Sequence, residues 1–182
     1  MSLANLSQLQ NHRLKQKEKA LICYFSYTNN TRLVAVRLRD ILSNRYLVDL
    51  VEIQPSLRRR YFLWLIYSFF PDSRVGIENS NFDVSTYGLI CLGVPKWTLS
   101  CPPFNEYLHL MTGCSGKKIA LFVTFGGFRE KGFISRIVRK IREKGAGSVS
   151  LLLIKRRNIA NGSFAKLVDD FAECLMSNAR KP

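Results

Sequence analysis

Three short segments hold residue types that can do chemistry together. The first is Ser26-Tyr27-Thr28-Asn29-Asn30-Thr31, which lies between an apolar run and the start of a helical pattern. Unpaired backbone N–H groups at a helix N-terminus, with the positive end of the helix dipole, favour a phosphate. The hydroxyls of Ser26, Thr28 and Thr31 add donors without adding charge. No Lys is present, which excludes a P-loop, and no GxGxxG is present, which excludes a Rossmann dinucleotide site. An ordinary N-cap turn has the same composition, so both readings stand. The second segment contains Pro95, Lys96, Trp97 and Thr98 after a glycine-bounded apolar run. Its Trp97 offers a flat face for a planar ligand, or else serves as a core or lid residue. The third is Thr124-Phe125-Gly126-Gly127-Phe128. Its glycines let backbone N–H groups approach a ligand closely, although a simple glycine turn reads the same way.

The elements that must position these segments follow from apolar patterning. Residues 20–25, 88–93, 118–123 and 149–154 are near-continuous apolar runs of strand length, as expected for strands buried on both faces. Residues 46–53 read as a further strand with partial alternation. Between them, apolar residues recur at helical spacing from Thr31 to Leu42, from 134 to 141 and from 164 to 175. Pro103 suits the first turn of a helix ending near Met111, Gly145 stops the fourth helix, and Ser163 is placed to cap the last. A helix over about 56–69 is expected. Five strands alternating with helices predict an α/β domain, a doubly wound parallel sheet in the order 2-1-3-4-5. In such a sheet ligands bind beyond the strand C-termini, at the switch point between strands 1 and 3. The three segments follow strands 1, 3 and 4.

In that context the chain resembles the flavodoxin family, over roughly residues 19–177. The family's phosphate loop reads T/S-x-T-G-N-T; Ser26, Thr28, Asn30 and Thr31 match it, and Asn29 stands where the family has Gly. Asn tolerates positive φ better than most residues, so the turn is expected to survive. Residues 93–97 look like the family's G-x-P-x-W segment, and residues 124–128 resemble its second flavin-contacting loop. The resemblance implies FMN as cofactor, held by residues 26–31, 95–98 and 124–128, with Trp97 stacked on the ring and Phe125 or Phe128 as the outer stack. Thr98 stands where several members carry Gly, which puts the family's redox-linked peptide flip in question. No catalytic acid or base stands out in the three loops, which favours electron transfer. The alternatives are an FMN-dependent NAD(P)H or quinone oxidoreductase and a non-catalytic binding module on the same scaffold.

The 182 residues carry 28 Lys and Arg against 13 Asp and Glu, a formal charge of +15. Such a surface attracts polyanions, anionic membranes or acidic proteins. The expected partner is a redox protein with an acidic surface. Basic residues are spread over several elements without a reading motif, so no specific nucleic acid is expected. Arg58, Arg59 and Arg60 precede the apolar run 61–70, and basic residues before an aromatic segment can mark contact with an anionic membrane. Packing of that run on the sheet is the competing reading, and a helix with one face packed and one exposed combines the two. Residues 1–18 read as a polar extension to a domain over 19–178. Five cysteines with no CxxC spacing and two isolated histidines make a metal site improbable and fit a reducing, cytoplasmic setting. Cys101 reads as a free loop thiol.

Overall fold

The computed structural model describes residues 17–56, 61–79, 81–127 and 130–178. Five strands, β1 (Lys19–Tyr24), β2 (Leu47–Glu52), β3 (Leu89–Pro95), β4 (Lys118–Phe125) and β5 (Ser148–Lys155), form one sheet in the order β2-β1-β3-β4-β5, every pair parallel. The helices are α1 (Asn30–Leu42), α2 (Tyr61–Tyr67), α3 (Pro102–Leu110), α4 (Glu130–Glu143), α5 (Arg156–Ala160) and α6 (Phe164–Asn178). The expected sheet order is therefore the observed one.

Alternation along the strands sorts the core into two layers. Leu21, Cys23, Leu92 and Leu121 face α3 and α4, which bring Phe104, Tyr107, Phe133 and Ile137. Ala20, Ile22, Cys91 and Phe122 face α1 and α6, which bring Val34, Leu38, Val168 and Ala172. Strands β1, β3 and β4 are buried on both sides, which is why they read as unbroken apolar runs. Gly93 is required by this packing, because a Cβ there would lie 2.2 Å from the Phe122 ring and 2.7 Å from the Tyr24 Cβ.

Several boundaries differ from the sequence expectation. Strands β3 and β4 run to Pro95 and Phe125, because Pro95 pairs with Thr124 and the Lys96 N–H bonds the Thr124 carbonyl at 2.8 Å. Pro95, Thr124 and Phe125 are thus strand-end residues rather than loop residues. The helix expected over 56–69 is observed as the seven-residue α2, with 57–60, and so the three arginines, outside the described residues. The short α5 follows β5 directly and was not expected. Ser163 precedes α6, but its hydroxyl donates to the Asn161 side chain at 2.8 Å, closing a local turn rather than accepting from the helix. Cys101 is a free thiol in the loop, at the N-cap of α3, but it is 1 % exposed and burial pushes its thiol well up, which opposes thiolate chemistry.

On the second layer, Arg37 of α1 clamps Asp169 of α6 through two bonds of 2.7 and 2.6 Å. The Arg37 guanidinium holds the Asp169 carboxyl below its ordinary value. A depressed carboxylate contributes stability above its unfolded value, about 3.9, and loses it as pH falls through the lower folded value. Both side chains are more than a third exposed, so the contribution is small. Asp169→Asn should therefore lower the melting temperature slightly at neutral pH. The gap to wild type should narrow progressively as pH falls below about 3.9, and a gap that stays constant would show that the charge pair is not its source.

Candidate functional site

At the C-terminal edge of the sheet the chain turns from β1 into α1 through a single left-handed residue. Asn29 has φ 60° and ψ −7°, and among the described residues it is the only non-glycine with positive φ. This is the position where the resemblance has Gly, and Asn takes the conformation that the turn demands. The first N–H groups of a helix lack partners inside it. The Ser26 hydroxyl accepts that of Arg32 at 3.3 Å, and the Asn29 side chain makes no cap. Asn30 donates to the Thr28 hydroxyl at 3.2 Å, which orients both side chains beside the helix end.

Beneath this turn the Thr31 and Thr124 hydroxyls meet at 2.8 Å, joining α1 to β4 across the intervening strands. Both residues are buried. When Thr31 donates, Thr124 keeps its own hydrogen for a ligand above it. The adjoining β3–α3 loop carries Trp97. Its ring packs edge-on against Phe25 at 5.5 Å, Trp64 at 6.0 Å and Tyr27 at 6.2 Å between centroids. Edge-to-face contacts of this kind fix ring orientation as well as burying area. The Thr98 hydroxyl is 2.5 Å from that of Ser68, and the Leu99 and Ser100 N–H groups both bond the Ser68 carbonyl at 2.9 Å. The Trp97 loop is thereby stitched to the end of α2.

These parts converge on one cleft lined by Tyr27, Thr28, Asn30, Pro95, Lys96, Trp97, Thr124, Phe125 and Arg156. Residues from all three segments singled out in the sequence thus meet at one place. Ser26, Asn29, Thr31 and Thr98 support the cleft from outside its lining. Gly126 and Gly127 lie at the end of β4 with open space around them, Gly127 at φ 116°. Phe128 lies outside the described residues. Phe125 is only 5 % exposed, so it forms part of the floor and presents no outer stacking face.

Arg156 was missed as a site residue. The run Lys155-Arg156-Arg157 reads in sequence only as surface charge. Because β5 runs parallel to β4, its C-terminus reaches the same edge, and the first residue of α5 arrives at the cleft. Lys96 is the second cation there. Burial pulls its ammonium below the ordinary lysine value, and Glu130 partly restores it. No carboxylate and no histidine line the cleft among the described residues.

No family model matches the chain. An uncharacterised protein of Archaeoglobus fulgidus is 34% identical over 136 residues, spanning 75% of this chain and 85% of that protein. Among solved structures, oxidised flavodoxin 2 from Bacillus cereus superposes with a TM-score of 0.59 at 19% identity, over 88% of this chain and 99% of that one. A flavoprotein in complex with FMN from Lactobacillus acidophilus gives 0.52 at 20% identity, over 81% and 99%. Two-electron reduced Megasphaera elsdenii flavodoxin gives 0.56 at 18% identity, over 85% and 98%. At such identities these structures establish a shared fold.

The left-handed turn makes a direct prediction. Asn29→Val should destabilise the protein by roughly 1–2 kcal/mol, the cost of placing a side chain with no local hydrogen bonds in that conformation. Asn29→Gly should cost nothing or stabilise slightly. Chemical denaturation of the two variants measures both, and equal stabilities would mean that the turn is not left-handed in solution.

Proposed function

Because the chain belongs to one family with the Archaeoglobus fulgidus protein and is built on the flavodoxin-like fold, we propose that it holds FMN at this cleft and acts in electron transfer. The observation that carries the reading is the meeting, at one sheet edge, of the Asn29 turn at the head of α1 with the Trp97 ring. A monophosphate suits the first, and a flat tricyclic ring suits the second.

The donor set fits the group. The N-terminus of α1, the Thr28 hydroxyl and the Asn30 carboxamide offer neutral donors to a phosphate. Arg156 adds a cation with a planar fork. Lys96, Trp97 and Tyr27 stand where the ring would lie. Open space at Gly126 and Gly127 leaves room beside it.

Bound FMN supplies one- and two-electron redox chemistry. The protein's own residues bind and tune. Thr31 and Thr124 hold α1 and β4 at fixed separation under the site. Trp97 is kept in place by Phe25 and Trp64, so its orientation is set before a ligand arrives. Lys96 and Arg156 favour whichever state of the ligand carries more negative charge, which eases reduction. With no carboxylate and no histidine lining the cleft among the described residues, electron exchange is better served than substrate chemistry.

The partner in this reading is a redox protein with an acidic surface, since complementary charge speeds encounter and makes it sensitive to salt. Cys23, Cys91, Cys101 and Cys114 are buried thiols outside any disulfide, which suits a reducing cytoplasm. The test is an absorbance spectrum of the purified protein before and after titration with FMN. Flavin bands, or saturable binding, are expected. Trp97→Ala should weaken binding by roughly 1–3 kcal/mol, the usual worth of a stacked aromatic face. A colourless protein that leaves FMN fluorescence unchanged would leave the fold without the cofactor and make it a binding module.

A further inference from the structure

The apolar run 61–70 is not absorbed by the cleft. Its helix α2 is anchored on one side only: Trp64 is 2 % exposed against Phe25 and Trp97, and Ser68, one turn on, is fully buried. The opposite side carries Leu63, Ile66, Phe69 and Phe70, and the two phenylalanines are 57 % and 63 % exposed. Leu99 is exposed too, and its N–H bonds the Ser68 carbonyl, which brings it to the end of the same run.

The turn after α2 is rigidly held. The Ser68 carbonyl takes two N–H groups from the Trp97 loop. The Ser73 hydroxyl donates to the Tyr67 carbonyl at 2.7 Å. Asn105 of α3 donates to the carbonyls of Pro71 and Ser73 at 3.1 and 2.9 Å. Polar groups of this turn are satisfied inward, while two adjacent aromatic rings are left in water.

Positive charge borders the patch. Arg136 of α4 donates to the Leu99 carbonyl at 3.1 Å. Lys140 pairs with Asp72 at 2.8 Å, two residues beyond Phe70, and Arg136 and Arg139 lie near the same carboxylate. Across the chain the excess is +15, and α4, β5 and α5 all contribute to it. Lys and Arg side chains near an anionic lipid surface are each attracted to it.

We propose that α2 and the turn that follows it seat the protein on an anionic lipid surface, with Leu63, Ile66, Phe69 and Phe70 entering the interface and the cations of α4 beside the headgroups. This is peripheral contact: no helix among the described residues is long and apolar enough to cross a membrane. Insertion of apolar side chains and attraction to anionic lipid add, so neither alone suffices.

The experiment is co-sedimentation of the full chain with phosphatidylcholine vesicles, with and without phosphatidylglycerol, in about 0.15 M salt. Partitioning onto the anionic vesicles is expected, with much weaker binding to the neutral ones. The double variant Phe69→Ser and Phe70→Ser should reduce partitioning about tenfold or more, with its melting temperature unchanged, because both rings are exposed. Three outcomes would overturn the proposal. No binding to anionic vesicles would assign the patch to a protein partner. Equal binding of wild type and variant would reduce the contact to net charge. A dimer dissolved by the double substitution would make a second copy the occupant.

Discussion

The parallel pairing of β1 with both β2 and β3 is the constraint on which the rest depends. Ile22 lies between Leu50 on one side and Cys91 on the other, so the β1–β2 connection moves one way across the sheet and the β2–β3 connection moves back the other way. Crossovers of one hand then put the helices before and after that reversal on opposite faces and open a crevice where the direction changes. Since all strands run the same way, the ends of β1, β3, β4 and β5 deliver their next residues to one edge. Residues far apart in sequence, from Tyr27 to Arg156, line one cleft for that reason alone.

Packing below the edge decides how firmly those residues stand. The Phe122 ring lies where a side chain on Gly93 would be, which draws β3, β4 and the Tyr24 side of β1 together. Just above, the Thr31 and Thr124 hydroxyls bridge the layer of α1 to the sheet. Trp97 is held by two more aromatic rings and by a loop tied to Ser68. A site built on strand ends and satisfied hydrogen bonds is more precise than one built on loops alone. Among the described residues lining it, the cations are Lys96 and Arg156, each delivered by a different strand.

Much of this was legible in the sequence, and the reasons are specific. Residues 20–25, 88–93 and 118–123 are near-continuous apolar runs because the strands are buried on both faces, and with the alternating helices that points to parallel pairing and the edge that matters. Asn29 was recognisable as a substitute for Gly because few other residues accept positive φ. What escaped were features set by neighbours rather than by local pattern. The last residues of β3 and β4 are strand because Pro95 and Thr124 find each other across the sheet, which no local propensity encodes. Phe125 looked like an outer stack and is buried. Cys101 looked like a loop thiol and is buried too. Arg156 was hidden in a basic run whose destination depends on the parallel direction of β5. The short α2, with one face packed and one exposed, matches the mixed reading of 61–70 in place of either simple one.

The central claim is that a phosphate sits at the head of α1 while a flat ring rests against Trp97. The most direct measurement is the affinity of the protein for FMN and for riboflavin, which share the ring and differ by the phosphate. The account predicts that FMN binds tighter by well over tenfold, since charge-assisted bonds to a phosphate at a helix N-terminus are each worth about 1.5–3 kcal/mol. Equal affinities would contradict it, because the Asn29 turn and Arg156 would then have no part in holding the ligand.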